Sequence, residues 1–298
     1  MLIYANMGQL IDGKSIAEKI RLEVAGNVKA LKKKGIQPKL GVILVGEHKP
    51  SLTYIRKKQE AAEQAGIDFV LKKFPTSISK TVLATEIKNI QKTEKLSGLI
   101  IQLPLPERLY CPEILNAICP NIDVDCLNEE NIGKLVMETN FIYPPTPLAV
   151  ITVLEHLKTD VAGKNVTIVG TGALVGKPLA IILANKGATV TTCNSKTKDV
   201  QARCLLADII VTGVGKKDLL RGDMVREGAI VIDTGISFEN GKMYGDANRE
   251  EVLEKAAYLT PTPGGIGPIT VSLLLQNTIT CAQRNNKNYE GLCNNTDV

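Results

Sequence analysis

The chain contains no tryptophan, and four phenylalanines and seven tyrosines leave it only 4% aromatic. Proteins that grip single-stranded nucleic acid interleave basic residues with stacking aromatics. Here the net charge of +5 arises from 36 Lys and Arg mixed with 31 Asp and Glu, a balance better suited to small anionic ligands. Histidine is nearly as scarce: His48 and His156 are the only two, which excludes a multi-histidine metal cluster. The seven cysteines are scattered without a Cys-x-x-Cys pair, suggesting neither a zinc knuckle nor a disulfide framework. No apolar run reaches the roughly 20 residues of a membrane span. Met1 to Gly13 lacks the basic-then-apolar order of a secretory signal, so a cytoplasmic setting is expected. No internal repeat is present, and 298 residues at 44% hydrophobic suffice for two domains with sizeable cores.

What is present is alternation. Residues 12 to 34 read as an amphipathic helix closed by Lys32-Lys33-Lys34-Gly35, positive charge favouring its C-terminal dipole. Leu40 to Val45 then reads as strand, Ser51 to Ala65 as helix with Ser51 as cap, and Phe69 to Phe74 as strand. Thr81 to Thr93 follows as helix and Gly98 to Leu103 as strand. Such βαβα order predicts a parallel sheet covered by helices. Tyr54 and Lys58, four apart, share one helix face: an aromatic platform beside an amine, or simply a solvated face. Gln102 stands at the carboxyl end of a buried strand, where open α/β sheets bind ligands; an idle loop glutamine is the alternative. In Asn121 to Cys126 the spacing puts Asp123 and Asp125 on one side of an extended segment, either facing a cleft or forming a solvated acidic turn. Pro144-Pro145-Thr146-Pro147 reads as a stiff linker, followed by a helix from Leu148 to Leu157.

Beyond it, strand Val166 to Val169 runs into Gly170-Thr171-Gly172-Ala173-Leu174-Val175-Gly176, and Lys177-Pro178 opens a helix to Asn185 before strand Ala188 to Cys193. Glycines admit a pyrophosphate to the backbone and the helix N-terminus supplies donors. This is dinucleotide-binding context. The next loop, Asn194-Ser195-Lys196-Thr197-Lys198, has a hydroxyl and two positive charges where an acid would mark NAD; it suits the 2′-phosphate of NADP, or is an ordinary polar loop. Asp208 to Val214 and Ala229 to Gly235 read as further strands with glycine-rich ends. Thr260-Pro261-Thr262-Pro263-Gly264-Gly265 leads toward a helix from Ile269 to Cys281, and Asn285 to Val298 is expected to fray.

Together these blocks resemble the bifunctional methylenetetrahydrofolate dehydrogenase/cyclohydrolase family, from Asp12-Gly13-Lys14 to about Ala282. The carriers are Val45-Gly46 with Ser51, Tyr54 and Lys58; Gly98 to Pro106 with Gln102; Asp123-Val124-Asp125; Pro144 to Pro147; Val169-Gly170 to Pro178; Gly245-Asp246; and Thr260 to Pro268. The resemblance implies two α/β domains flanking a cleft: a folate-binding catalytic domain of residues 1–147 and 270–298, and a Rossmann-type domain of 148–269. It implies oxidation of 5,10-methylenetetrahydrofolate with NADP, NAD being the alternative, then hydrolysis of the methenyl product to 10-formyltetrahydrofolate. It gives Lys58 the hydrolytic proton transfers, Gln102 its orientation, Tyr54 the folate platform and Asp125 the pterin anchor. Ser51, Pro263, Gly264 and Gly265 would complete the substrate site. Gly170, Thr171, Gly172, Val175, Gly176, Ser195, Thr212, Gly213 and Ile236 would bind the nucleotide. No metal, nucleic acid or membrane is called for, and a homodimer is implied. The chain departs from the family pattern at Thr171, where an Arg is usual, at Asn194 for His, and at Ile122 and Cys126 for Lys and Gly around the acidic pair. In the linker Pro145 stands for a common Cys and Ala149 for a common Gly. A dehydrogenase for a hydroxy or amino acid, and a non-enzymatic dinucleotide-binding regulator, are the alternatives the residues leave.

Overall fold

The computed structural model describes residues 8–285; the carboxyl-terminal stretch expected to fray falls outside them from residue 286. Among the described residues the chain forms two compact units, residues 18–145 with 271–285 and residues 8–17 with 146–270.

The chain begins with strand β1 (Gln9–Leu10) and helix α1 (Gly13–Lys33), then β2 (Lys39–Val45), α2 (Lys49–Ala65), β3 (Asp68–Phe74), α3 (Lys80–Thr93) and β4 (Gly98–Ile101). Strands β3, β2 and β4 form a parallel sheet in that order. Central β2 is apolar and buried from Leu40 to Val45, as a strand covered on both faces must be. Leu40, Val42 and Leu44 face a core with Val24, Val28, Ile55, Ala62 and Ile279. Ile43 and Val45 face the other, with Leu83, Ile87, Leu99 and Ile101. Two short helices follow, α4 (Pro112–Leu115) and α5 (Glu129–Val136). Helix α5 is announced in the sequence only by Asn128, whose Oδ1 accepts the Glu130 amide at 2.8 Å, an N-cap bond.

Helix α2 starts two residues earlier than its apolar pattern predicts. His48 is its N-cap without a capping side chain, Pro50 fits the first turn, where its missing N–H is harmless, and Ser51 is not the cap. Gly66 ends the helix as expected, with φ 79°. The proline-rich linker is also shorter than predicted. Pro145 and Pro147 lie in the first turn of α6 (Pro145–His156), because a helix start tolerates the residues that its interior rejects.

The remaining elements are β5 (Asn165–Val169), α7 (Gly176–Asn185), β6 (Thr189–Cys193), α8 (Val200–Leu205), β7 (Ile209–Thr212), β8 (Ile230–Asp233), a hairpin β9 (Ser237–Glu239) and β10 (Lys242–Tyr244), α9 (Arg249–Leu253), β11 (Tyr258–Leu259) and α10 (Ile266–Asn285). A six-stranded parallel sheet runs β1-β11-β8-β7-β5-β6. Edge strand β6 is polar and largely exposed, as an unpaired edge favours.

Through strand β1, residues 8–17 pack in the same compact unit as residues 146–270. Gln9 and Leu10 pair in parallel with Tyr258 and Leu259, and the Gly8 amide donates to Leu253 O at 2.8 Å. Nothing in two residues of sequence signals an edge strand; the neighbour that completes it lies some 250 positions away. A Cβ at Gly13 would stand 2.0 Å from Gly265 O. Gly13→Ala should therefore lower stability by about 1–3 kcal/mol, read as a fall in the thermal midpoint; an unchanged midpoint would refute this close approach.

Candidate active site

On α2, Tyr54 and Lys58 sit one turn apart, and the chain supplies Lys58 with two partners from other elements. Its Nζ donates to Gln102 Oε1 at 3.0 Å. Gln102 lies just past β4, buried, its amide N–H bonded to Ile43 O at 2.8 Å. Its Nε2 donates to Leu103 O at 2.7 Å, which fixes the carboxamide with its oxygen toward the lysine. Burial lowers the Lys58 pKa below the ordinary amine value, and the negative charge of Asp125 opposes that shift. Burial raises the Asp125 pKa, with Lys58 opposing in turn. An amine so placed exchanges protons more readily near neutrality than one in water. The Tyr54 hydroxyl is buried without a hydrogen-bond partner, and burial keeps it protonated by raising its pKa. Buried hydroxyls are seldom left unpaired; this one is a donor awaiting an acceptor. Ser51 is also buried, its Oγ 3.0 Å from His48 Nδ1.

Asp125 acts on Lys58 through its charge and lies in a turn, not in the extended segment that alternation suggests. The Leu99 amide donates to Ile122 O at 2.7 Å, and the Cys126 amide to Asp123 O at 3.1 Å. Asp123 points inward, away from any solvated role. Its Oδ2 accepts from the Asn128 amide at 2.8 Å and Asn131 Nδ2 at 3.1 Å. Burial pushes its pKa up to about 6, those donors pulling the other way. Cys126 follows with φ 55°, the left-handed conformation in which a Cβ costs roughly 1–2 kcal/mol. Glycine in the family pattern has a physical reason that the sequence alone does not display.

The dinucleotide candidates gather at the carboxyl ends of β5, β6, β7 and β8. Gly170 has φ 115°, and a Cβ there would lie 2.6 Å from Gly213 O; one at Gly176 would lie 1.9 Å from Gly170 O. Nothing stands within 4 Å of the Cβ position of Gly172. The loop through Thr171 to Val175 thus turns tightly into the N-terminus of α7 with open space beside its middle, a fit for a pyrophosphate. The Gly170 amide bonds Cys193 O at 2.8 Å, so the Asn194–Lys198 turn starts next to this loop. Asn194 Oδ1 accepts the Lys196 amide and Thr197 Oγ1 the Asn194 amide, both at 2.9 Å, which leaves Ser195 exposed. Thr212 is buried, its Oγ1 donating to Asp233 Oδ1 at 3.0 Å, with Gly213 following and Ile236 partly exposed.

Two carboxylates that sequence reasoning passed over hold these turns. Asp246 accepts three successive amides, Val214, Gly215 and Lys216, at 2.7, 2.8 and 2.7 Å. Asp233 accepts the Gly235 and Ala247 amides at 2.8 and 2.9 Å, and burial pushes its pKa up to about 6. Gly235 and Gly245 must lack side chains, since a Cβ would come within 2.1 Å of Asp246 and 2.0 Å of Asp233. The Gly245-Asp246 pair was the available signal. Pro263, Gly264 and Gly265 lie in this same unit, Gly264 with φ 104°. Among the described residues no group of three or more His, Cys, Asp and Glu is placed to hold a metal ion.

Comparison with known proteins gives matches to two family models. Residues 11–125 match that of the tetrahydrofolate dehydrogenase/cyclohydrolase catalytic domain, and residues 144–286 that of its NAD(P)-binding domain. The chain is 42% identical over 281 residues to a bifunctional protein FolD of Campylobacter curvus, spanning 94% of this chain and 98% of that one. Among solved structures it resembles the bifunctional methylenetetrahydrofolate dehydrogenase/cyclohydrolase of Campylobacter jejuni at 40% identity and TM-score 0.88, over 93% and 99% of the two chains. It also resembles the Trypanosoma brucei enzyme, solved with NADP and an inhibitor, at 34% and 0.89, over 94% and 99%.

Asp123 and Asp233 each bind a proton more tightly folded, near pH 6, than unfolded, near pH 3.9. The folded state therefore holds more protons in that window, and stability falls as pH rises through it. Urea midpoints at pH 5 and pH 7 should differ less in Asp123→Asn than in the parent, by about 1 kcal/mol in unfolding free energy. Equal differences would contradict the burial effect.

Proposed function

This chain belongs to the tetrahydrofolate dehydrogenase/cyclohydrolase family, and we propose how its own residues divide that family's two reactions. The protein oxidises 5,10-methylenetetrahydrofolate to 5,10-methenyltetrahydrofolate with NADP, then hydrolyses the methenyl cation to 10-formyltetrahydrofolate in one-carbon metabolism. The observation that carries the division is the Lys58 amine, desolvated, bonded to Gln102 at 3.0 Å and opposed by Asp125.

In the hydrolytic step water adds to the methenyl carbon and the bond from that carbon to N5 breaks. Of the water's two protons one must reach N5, and the other leaves to solvent as the carbinol hydroxyl becomes the formyl C=O. Lys58 takes the first in its neutral form, which burial favours and a cationic substrate favours further, and returns it to the departing nitrogen. Gln102 keeps the amine aimed through that cycle. The Tyr54 ring is the surface on which the pterin lies, its free hydroxyl available to the substrate. Asp125 accepts hydrogen bonds from the pterin edge, and Ser51, Pro263, Gly264 and Gly265 complete the folate contacts.

Bound NADP supplies the oxidising step by accepting hydride. For that step the protein contributes alignment and no acid or base. The nucleotide contacts are Gly170, Thr171, Gly172, Val175 and Gly176 for the pyrophosphate, Ser195 for the 2′-phosphate, and Thr212, Gly213 and Ile236 beyond. NADP is the preferred acceptor, with Thr171 in place of a cation narrowing its margin over NAD. The enzyme acts as a homodimer in the cytoplasm, without nucleic acid. No helix among the described residues is long and apolar enough to cross a membrane.

Lys58→Met should reduce methenyl hydrolysis by roughly 10²–10⁴-fold while the protein keeps its fold by circular dichroism and its affinity for NADPH by fluorescence titration. Unimpaired hydrolysis would overturn the role of Lys58. Initial rates of the parent with NADP and NAD should favour NADP; higher kcat/KM with NAD would reverse the cofactor assignment.

A further inference from the structure

Asn277 lies on α10, in neither the Tyr54–Lys58 face nor the acidic turn. It is buried, and its single side-chain NH2 group makes two hydrogen bonds: to Val124 O at 2.9 Å and to Tyr143 O at 2.8 Å. Val124 stands between Asp123 and Asp125. The backbone of this turn is therefore held at three successive points: Ile122 O by the Leu99 amide at 2.7 Å, Asp123 by its side chain to Asn128 and Asn131, and Val124 O by Asn277. The next residue is Asp125. Val124 is fixed from its side chain as well: a Cβ on Gly98 would lie 2.8 Å from Val124 Cγ1 and 3.0 Å from Thr278 Oγ1, so the turn is packed between β4 and α10.

We propose that Asn277 is a positioning residue for folate binding, setting through the Val124 carbonyl the direction in which Asp125 presents its carboxylate to the pterin. The proposal rests on Asp125 being the pterin anchor. Both hydrogens of the NH2 group are needed, one for each carbonyl, and only Asn or Gln among uncharged side chains carries such a pair. Without it the buried Val124 carbonyl and the part-buried Tyr143 carbonyl lose this donor, and the turn relaxes toward whatever partner it finds. A movement of about an ångström at Asp125 suffices to misplace a bound ring. The nucleotide contacts belong to the other unit and take no part.

The test compares Asn277→Ser with Ile279→Val and Asp125→Ala. Serine has one donor and cannot serve both carbonyls. Ile279 shares the apolar cluster of Val124, Leu274 and Leu275 but its side chain carries no hydrogen-bonding group, so its variant reports on loosened packing without loss of a donor. In Asn277→Ser the KM for 5,10-methylenetetrahydrofolate should rise on the order of tenfold, which corresponds to about 1.4 kcal/mol. The rise should exceed the change in kcat, and the Kd for NADPH should stay at the parent value. Ile279→Val should lower the thermal midpoint and leave KM as it is. Should Asn277→Ser fail to fold, Asn277→Gln, which keeps the NH2 group one methylene further out, is read by the same constants and should also raise KM. An unchanged KM in a folded Asn277 variant would overturn the proposal, as would an equal rise in Ile279→Val. If Asp125→Ala leaves KM unaltered, the pterin assignment fails instead.

Discussion

An amine held out of water beside a carboxylate is the condition on which the catalytic half depends. Neither charge is comfortable: burial lowers the Lys58 pKa and raises that of Asp125, and each partly offsets the other. Such pairs contribute little net stability, because the desolvation penalty consumes most of the attraction. What the arrangement supplies is an amine whose proton is labile and whose direction is fixed by Gln102. The core of the same unit, with β2 buried between two clusters, is the rigid support that such a strained electrostatic state requires.

The two units solve one structural problem in the same way. Each must hold an irregular loop beside its sheet in a single conformation, and each does so with buried carboxylates that collect backbone amides. Asp123 gathers the start of α5 behind the turn of residues 121–126. Asp246 and Asp233 together tie the loops after β7 and β8. A carboxylate offers about four lone-pair directions, so one side chain replaces several turn contacts. The same burial raises the pKa of Asp123 and Asp233 to about 6, which links loop order to pH.

Glycine at Gly170 and Gly176 serves these loops differently, by removing atoms. Its absence at position 126 is accepted: Cys126 carries a left-handed φ of 55° and is buried among apolar neighbours. Burial of the thiol offsets in packing some of what the backbone loses in conformation.

Periodicity and spacing made the fold largely legible. Alternation of apolar runs with helical patterns gave the parallel sheets, because buried strands and amphipathic helices each leave a repeating local mark. The glycine run named the nucleotide turn, and Tyr54, Lys58, Gln102 and Asp125 could be picked out as family matches before any contact was known. Tertiary structure alone decided the rest. It placed β1 on the edge of the distant sheet, turned Asp123 inward, set the charge of Asp125 against that of Lys58, and left Ser51 inside a helix it had been expected to cap. It also brought Asn277 to the carbonyl beside Asp125, 153 positions away. Local pattern fixes which face a residue takes on its own element. It cannot fix which buried donor meets which acceptor, since that pairing is set by the packing of elements far apart in the chain.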